Sequence, residues 1–222
     1  MTSPPAPDLF THVHKGLRHG LFDAVELLGR TDWSDPTAIG DATARWTELD
    51  AQLTAHAHHE DDFIFPMLEV HRPGATAALH ADHETIDEMQ RAAAGAVVHA
   101  AANGSAADGL HAYRLATELA GAYLSHLLDE ERTVMPAILE CCSREEIEAC
   151  RRAFLATVPP NEAAVTQRWI LLSLDHPTRV GLLTGARRSM PPETFAALLA
   201  LAQHVLPAPD LSRLDAALNA AA

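Results

Sequence analysis

Several things are scarce in this sequence, and each shortage removes a class of protein. Its 222 residues include three cysteines, and aromatic residues make up only 5%. Cys141, Cys142 and Cys150 crowd into ten residues, and two of them are adjacent. That spacing argues against a disulfide framework and for a reduced, cytoplasmic protein. Positive charge is equally thin. Lys15 is the only lysine, and 16 basic residues face 30 acidic ones, a formal charge of −14. Such a chain repels phosphate backbones and anionic lipid, so neither nucleic acid nor a membrane surface is expected as a partner. No apolar run is long enough to span a bilayer. The opening stretch MTSPPAPDLF lacks the basic and apolar regions of a secretion signal. No P-loop, dinucleotide-binding glycine pattern or GxSxG elbow occurs. Strand-favouring residues are sparse and alanine is abundant, which points to an all-α fold.

What is present is helical periodicity. Residues 5–30 repeat Phe10, His14, Leu17, Leu21, Val25 and Leu28 at three- and four-residue steps. A restart follows at Asp35-Pro36, a cap and a first-turn proline. The second helix is expected to run to about residue 70 with Trp46, Leu49, Leu53, His56, Glu60, Phe63 and Met67 inward. The third covers about 75–101, carrying Leu79, His83, Ile86, Ala93 and Val97. The fourth covers about 107–140, carrying Leu115, Leu119, His126, Glu130 and Val134. Short turns between long helices predict an up-down-up-down four-helix bundle over residues 1–142. Beyond it, Ser143 and Glu146 form a capping box, and prolines cut residues 143–222 into short helices. This C-terminal extension could cover one end of the bundle or form a homodimer interface.

Fourteen histidines are an excess, and most lie before residue 130. Four of them, His14, His56, His83 and His126, fall within the apolar stripes, one per helix. Glu60 and Glu130 follow two of these by four residues, which stacks each pair on one helix face. Inward carboxylates are costly unless something compensates them, and metal ions would do so. Imidazole with carboxylate suits iron, manganese or zinc. The pattern also repeats. His56 to Glu60 is followed by Pro66, and His126 to Glu130 by Pro136, an offset of 70 residues. His14 and His83 stand 69 apart. Two hairpins of one design, paired about a pseudo-twofold axis, would build a two-metal site. The register His58 to Asp62 leaves the apolar stripe and is rejected. Each mid-helix proline is expected to bend its helix just past the site.

On His14-Lys-Gly-Leu-Arg18, the His56-to-Pro66 unit and the His126-to-Pro136 unit, the chain resembles the hemerythrin-like, or HHE cation-binding, family over about residues 8–140. The resemblance implies a non-haem di-iron centre bridged by oxo or hydroxo, with manganese or zinc as substitutes. Glu60 and Glu130 would bridge the irons, and His14, His56, His83 and His126 would be terminal ligands. There are departures: position 87 is Asp rather than His, and the fourth helix supplies HxxxE, with Glu131 at the longer spacing. Two octahedral irons offer about twelve positions, of which this donor set and a shared oxygen fill about ten. Asp87, His80 and Tyr123 are candidates to complete the set, while His59 and Glu131 are candidates to support it. An open site with fewer imidazoles suits peroxide, oxygen or nitric oxide chemistry in stress defence, of a catalase-, peroxidase- or oxidase-like kind. The alternative is a sensor or carrier of oxygen, nitric oxide or iron. A ferritin-type bundle would show the opposite order, ExxH, and a zinc enzyme an HExxH pair.

Overall fold

The computed structural model describes residues 8–220, and all regular structure among them is helical. Helix α1 spans Thr11–Arg30. It starts later than the periodicity suggested, because Asp8 Oδ1 accepts from the backbone N–H groups of both Phe10 and Thr11, at 2.9 Å each. Residues 5–7 of the expected helix lie outside the described residues. Asp35 caps α2 (Pro36–His59) through the N–H of Thr37, as the Asp-Pro signal predicted.

The second long helix then departs from α geometry. Residues Glu60–Ile64 form a π-helical turn before α3 (Phe65–His71). After α4 (Ala77–Asn103) and α5 (Ala106–Asp129), the same device recurs: Glu130–Val134 is π-helical and leads into α6 (Met135–Cys141). The N–H of Phe65 donates to the carbonyl of Glu60, and that of Met135 to Glu130, five residues back in each case. The cause is the proline after each turn. Pro66 and Pro136 have no N–H to donate, and their rings crowd the carbonyl four residues earlier, so the turn widens.

This widening corrects one expectation. An unbroken α-helix would turn Phe63 and Met67 into the core. The extra residue advances the stripe by one, so Ile64, Phe65 and Leu68 are buried while Phe63 and Met67 are half-buried.

Helices α1, α2, α4 and α5 each pack on two of the others, closing the up-down-up-down bundle. Gly104 ends α4 in the left-handed region (φ 62°), which a side chain would strain, and Ser105 caps α5. Two apolar layers fill the interior. One contains Leu17, Leu53, Ile86, Tyr123 and Leu127; the other contains Phe10, Ile64, Phe65, Leu79 and Val134. In all four helices the stripe histidines and glutamates fall between these layers.

The C-terminal helices are built onto the bundle. α7 (Arg144–Leu155), started by the Ser143/Glu146 capping box, packs against the first π turn. α8 (Pro160–Ser173) lies along α1 and places Trp169, 2% exposed, in the bundle's own apolar layer. Gly20 makes this possible: a Cβ there would meet the Trp169 ring at 2.7 Å. α9 (His176–Ser189), α10 (Pro192–Val205) and α11 (Ala208–Ala220) enclose a separate cluster with Leu171 of α8. The apolar runs Trp169–Leu172 and Phe195–Leu201 are thus largely occupied within the chain.

Candidate metal centre

The six polar residues of the four stripes converge. His14, Glu60 and Glu130 are 0% exposed, and His56, His83 and His126 are buried. They form two donor groups. His14, His56, Glu60 and Glu130 offer atoms within 4.8 Å of one another, and so do Glu60, His83, His126 and Glu130. Both carboxylates belong to both groups, and each turns one oxygen toward each pair of imidazoles. Glu60 Oε1 lies 2.9 Å from His56 Nε2 and 3.8 Å from His14 Nε2, while its Oε2 lies 3.4 Å from His83 Nε2. Glu130 Oε2 lies 3.5 Å from His14 Nε2, and its Oε1 lies 3.3 Å from His126 Nε2. The Nε2 atoms of His83 and His126 stand 3.0 Å apart.

Apart from the His83–His126 contact, which is a hydrogen bond, these distances do not add up to hydrogen bonds. Both oxygens of Glu60, both of Glu130, and Nε2 of His14 and His56 are buried with no hydrogen-bond partner. Even the 2.9 Å approach of His56 to Glu60 is misaligned for one. Sealed between two apolar layers, such atoms would each cost about 1–3 kcal/mol, and more when charged. Cations between the two imidazole pairs would satisfy all six atoms. The residues fit a pair of metal ions.

In the metal-free chain, protons stand in. Burial opposes charge on His14, but the carboxylates of Glu131, Glu60 and Glu130 outweigh it and hold the imidazole up to about 9. His83 is likewise held at about 9, its burial outweighed by Glu60, Asp61 and Glu130. The two central carboxylates separate. Burial would raise Glu60, but His56, His14 and His83 keep it well below the usual range; burial and the charge of Glu60 raise Glu130.

The outward nitrogens of two imidazoles are also held. His14 Nδ1 lies 3.0 Å from Glu131 Oε1, which also accepts from Arg18 at 2.6 Å. His83 Nδ1 lies 3.0 Å from Asp61 Oδ1. The hydrogen bond from His14 and the charge of Arg18 keep the Glu131 carboxyl down at about 2, against the desolvation that would raise it. A carboxylate behind a histidine fixes the tautomer that presents Nε2 to a metal. The sequence pattern names Glu131 as a candidate for such a role; Asp61 reads from the sequence as an acid either at the surface or behind the donors, and the structure puts it behind His83. The 70-residue offset would have found it, since Asp61 stands to Glu60 as Glu131 stands to Glu130.

The remaining candidates are distributed as follows. Asp87 is exposed and belongs to neither central group, because it lies a turn beyond His83 on the outer side of α4. His80 is exposed and 3.0 Å from Asp61, making a peripheral group with Asp61 and His83. Tyr123 is buried with its ring centroid 6.0 Å from that of His126; burial, and then the charges of Glu60 and Glu130, push its phenol well up. His59 turns away from the centre, against Phe154 and within 4.0 Å of Glu162. His58 and Asp62 are exposed.

Residues 6–138 match the family model of hemerythrin, described as the hemerythrin HHE cation-binding domain. No curated protein and no solved structure matches the chain. Among the described residues, no helix is long and apolar enough to cross a membrane.

Proposed function

The chain belongs to the hemerythrin HHE cation-binding family, and from that premise we propose that its six buried donors hold two iron ions serving a small diatomic or peroxide ligand. One observation carries this reading: two four-donor groups share both carboxylates, and their facing atoms are otherwise unsatisfied. A pair of irons there would supply reversible one-electron chemistry and an open position for a ligand. Manganese or zinc could occupy the same donors.

The chain's own part is positioning. Glu60 and Glu130 each face one oxygen to each half-site, so both carboxylates would be shared between two cations. The four imidazoles add donors without adding negative charge. Glu131 and Asp61 fix His14 and His83 from behind. The apolar layers on either side exclude bulk water. With four histidines, the donor set leaves room for an exogenous ligand, which favours peroxide breakdown or reduction of oxygen or nitric oxide in stress defence. The three cysteines are free, consistent with the cytoplasmic setting this role implies. Residues 1–142 act as the metal-binding unit in this role, with 143–222 supporting it. Stopped-flow mixing of the iron-loaded protein with hydrogen peroxide tests the reading. Repeated turnover supports it. A single stoichiometric spectral change without turnover assigns the site to sensing or carriage instead.

A further inference from the structure

A cavity of about 390 Å³ opens where α7 and α8 meet α1 and α2. It lies outside the donor cluster but touches it, because His56 forms part of its wall. His56 Nε2 is one of the buried atoms without a hydrogen-bond partner. Most of the lining is apolar: Leu9, Val13 and Leu17 on one side, Phe154, Val158 and Ile170 on the other. Leu155, at 51% exposure, brings an apolar side chain to the mouth. A space of this size falls within the range of small-molecule sites.

The charges in the wall say what would fit. Asp8 and Glu162 supply two carboxylates and Arg151 one guanidinium. A ligand anion would meet net repulsion, and a cation would meet the Arg151 charge and an Asp8 carboxylate already taken by the N–H groups of Phe10 and Thr11. Gln52 and Thr166 are committed to each other, the Thr166 hydroxyl donating to Gln52 Oε1 at 2.6 Å. That leaves Gln167, His12 and His59 to offer a hydrogen bond to an occupant. The C-terminal helices supply half of the wall, so the pocket exists only because α7 and α8 are docked.

We propose that this cavity binds a neutral, largely apolar organic molecule carrying one hydroxyl or carbonyl, such as a phenol, against the His56 side of the donor cluster. Its placement beside a metal rests on the function proposed above; its existence as a binding site does not.

The probe is 1-naphthol, titrated by its fluorescence into the full-length chain with and without metal, beside 1-naphthoate. The expected result is saturable one-to-one binding of 1-naphthol, clearly weaker binding of the anion, and at least a tenfold loss of affinity in Ala163→Phe and in Val158→Trp. Both substitutions fill the cavity from outside the donor cluster. The inference is overturned if 1-naphthol does not saturate the wild-type chain, if 1-naphthoate binds more tightly, or if whichever of the two variants folds binds it undiminished. Binding by a chain that takes up no metal would remove the metal reading and leave the pocket standing.

Discussion

The Nδ1 atom of His14 lies 3.0 Å from the carboxylate of Glu131, a residue of the opposite helical hairpin. The relationship is returned: His83, in the second hairpin, is held at 3.0 Å by Asp61 of the first. Each hairpin therefore orients the lone histidine of the other. The pseudo-twofold repeat reaches past the central donors to the residues behind them, and assembling the centre requires both hairpins to be docked.

Removing these supports should weaken metal binding without removing a donor. Glu131→Gln and Asp61→Asn are each expected to lower metal affinity by about 10- to 100-fold. Competition against a chromophoric chelator measures this. Because Glu131 also binds Arg18, Arg18→Ala should show a smaller loss in the same direction.

The metal-free chain should lose stability as pH rises. His14 and His83 are held at about 9, above the ordinary 6.5, so their contribution is complete below pH 6.5 and is lost as pH rises through about 9. Glu131 acts in the opposite sense. Its carboxyl is held at about 2, below the ordinary 4.5, so its contribution is present above pH 4.5 and is lost as pH falls toward 2. Metal binding needs neutral imidazoles and displaces those protons, so uptake should strengthen with pH over 6.5 to 9. Thermal melts across pH, with and without chelator, compare the two trends.

The docking of α8 should be worth a core residue. Trp169→Ala removes a ring 2% exposed within the bundle's apolar layer and should cost about 3–5 kcal/mol. Gly20→Ala forces a methyl onto the same ring and should cost about 1–3 kcal/mol. Both are read by denaturant unfolding. Truncation after residue 142 should lower stability at least as far as Trp169→Ala does.

The π turns make a prediction that a regular helix would reverse. Ile64→Ala should cost about 2–5 kcal/mol, while Phe63→Ala, at a half-buried position, should cost clearly less despite its larger side chain. Equal costs, or a larger one at Phe63, would mean that the stripe continues without the inserted residue.

The bundle and its buried cluster of histidines and glutamates were legible because they rest on local spacing. The three- and four-residue steps of Leu17, Leu21 and Leu28, or of Leu79, His83 and Ile86, follow directly from helix geometry, and the repeat of His56–Glu60 at His126–Glu130 marked the polar intruders. The π turns were half legible. Pro66 and Pro136 announced a disturbance, but a proline does not say whether the helix bends or widens, and that choice moved the buried stripe from Phe63 to Ile64. The pairing of Asp61 with His83 was not legible because the partner stands 22 residues away on another helix, although the repeat offset carried the signal. The docking of Trp169 onto Gly20 and the cavity between α1, α2, α7 and α8 were not legible. Apolar helices in a C-terminal extension have several surfaces to cover, and only tertiary packing selects one.

Metal content per chain tests the central claim most directly. After anaerobic loading with ferrous iron and removal of unbound ions, elemental analysis should find two ions per chain, falling in Glu130→Ala, where both half-sites lose a shared donor. One ion per chain, or two retained undiminished in Glu130→Ala, would contradict a centre built on shared carboxylates.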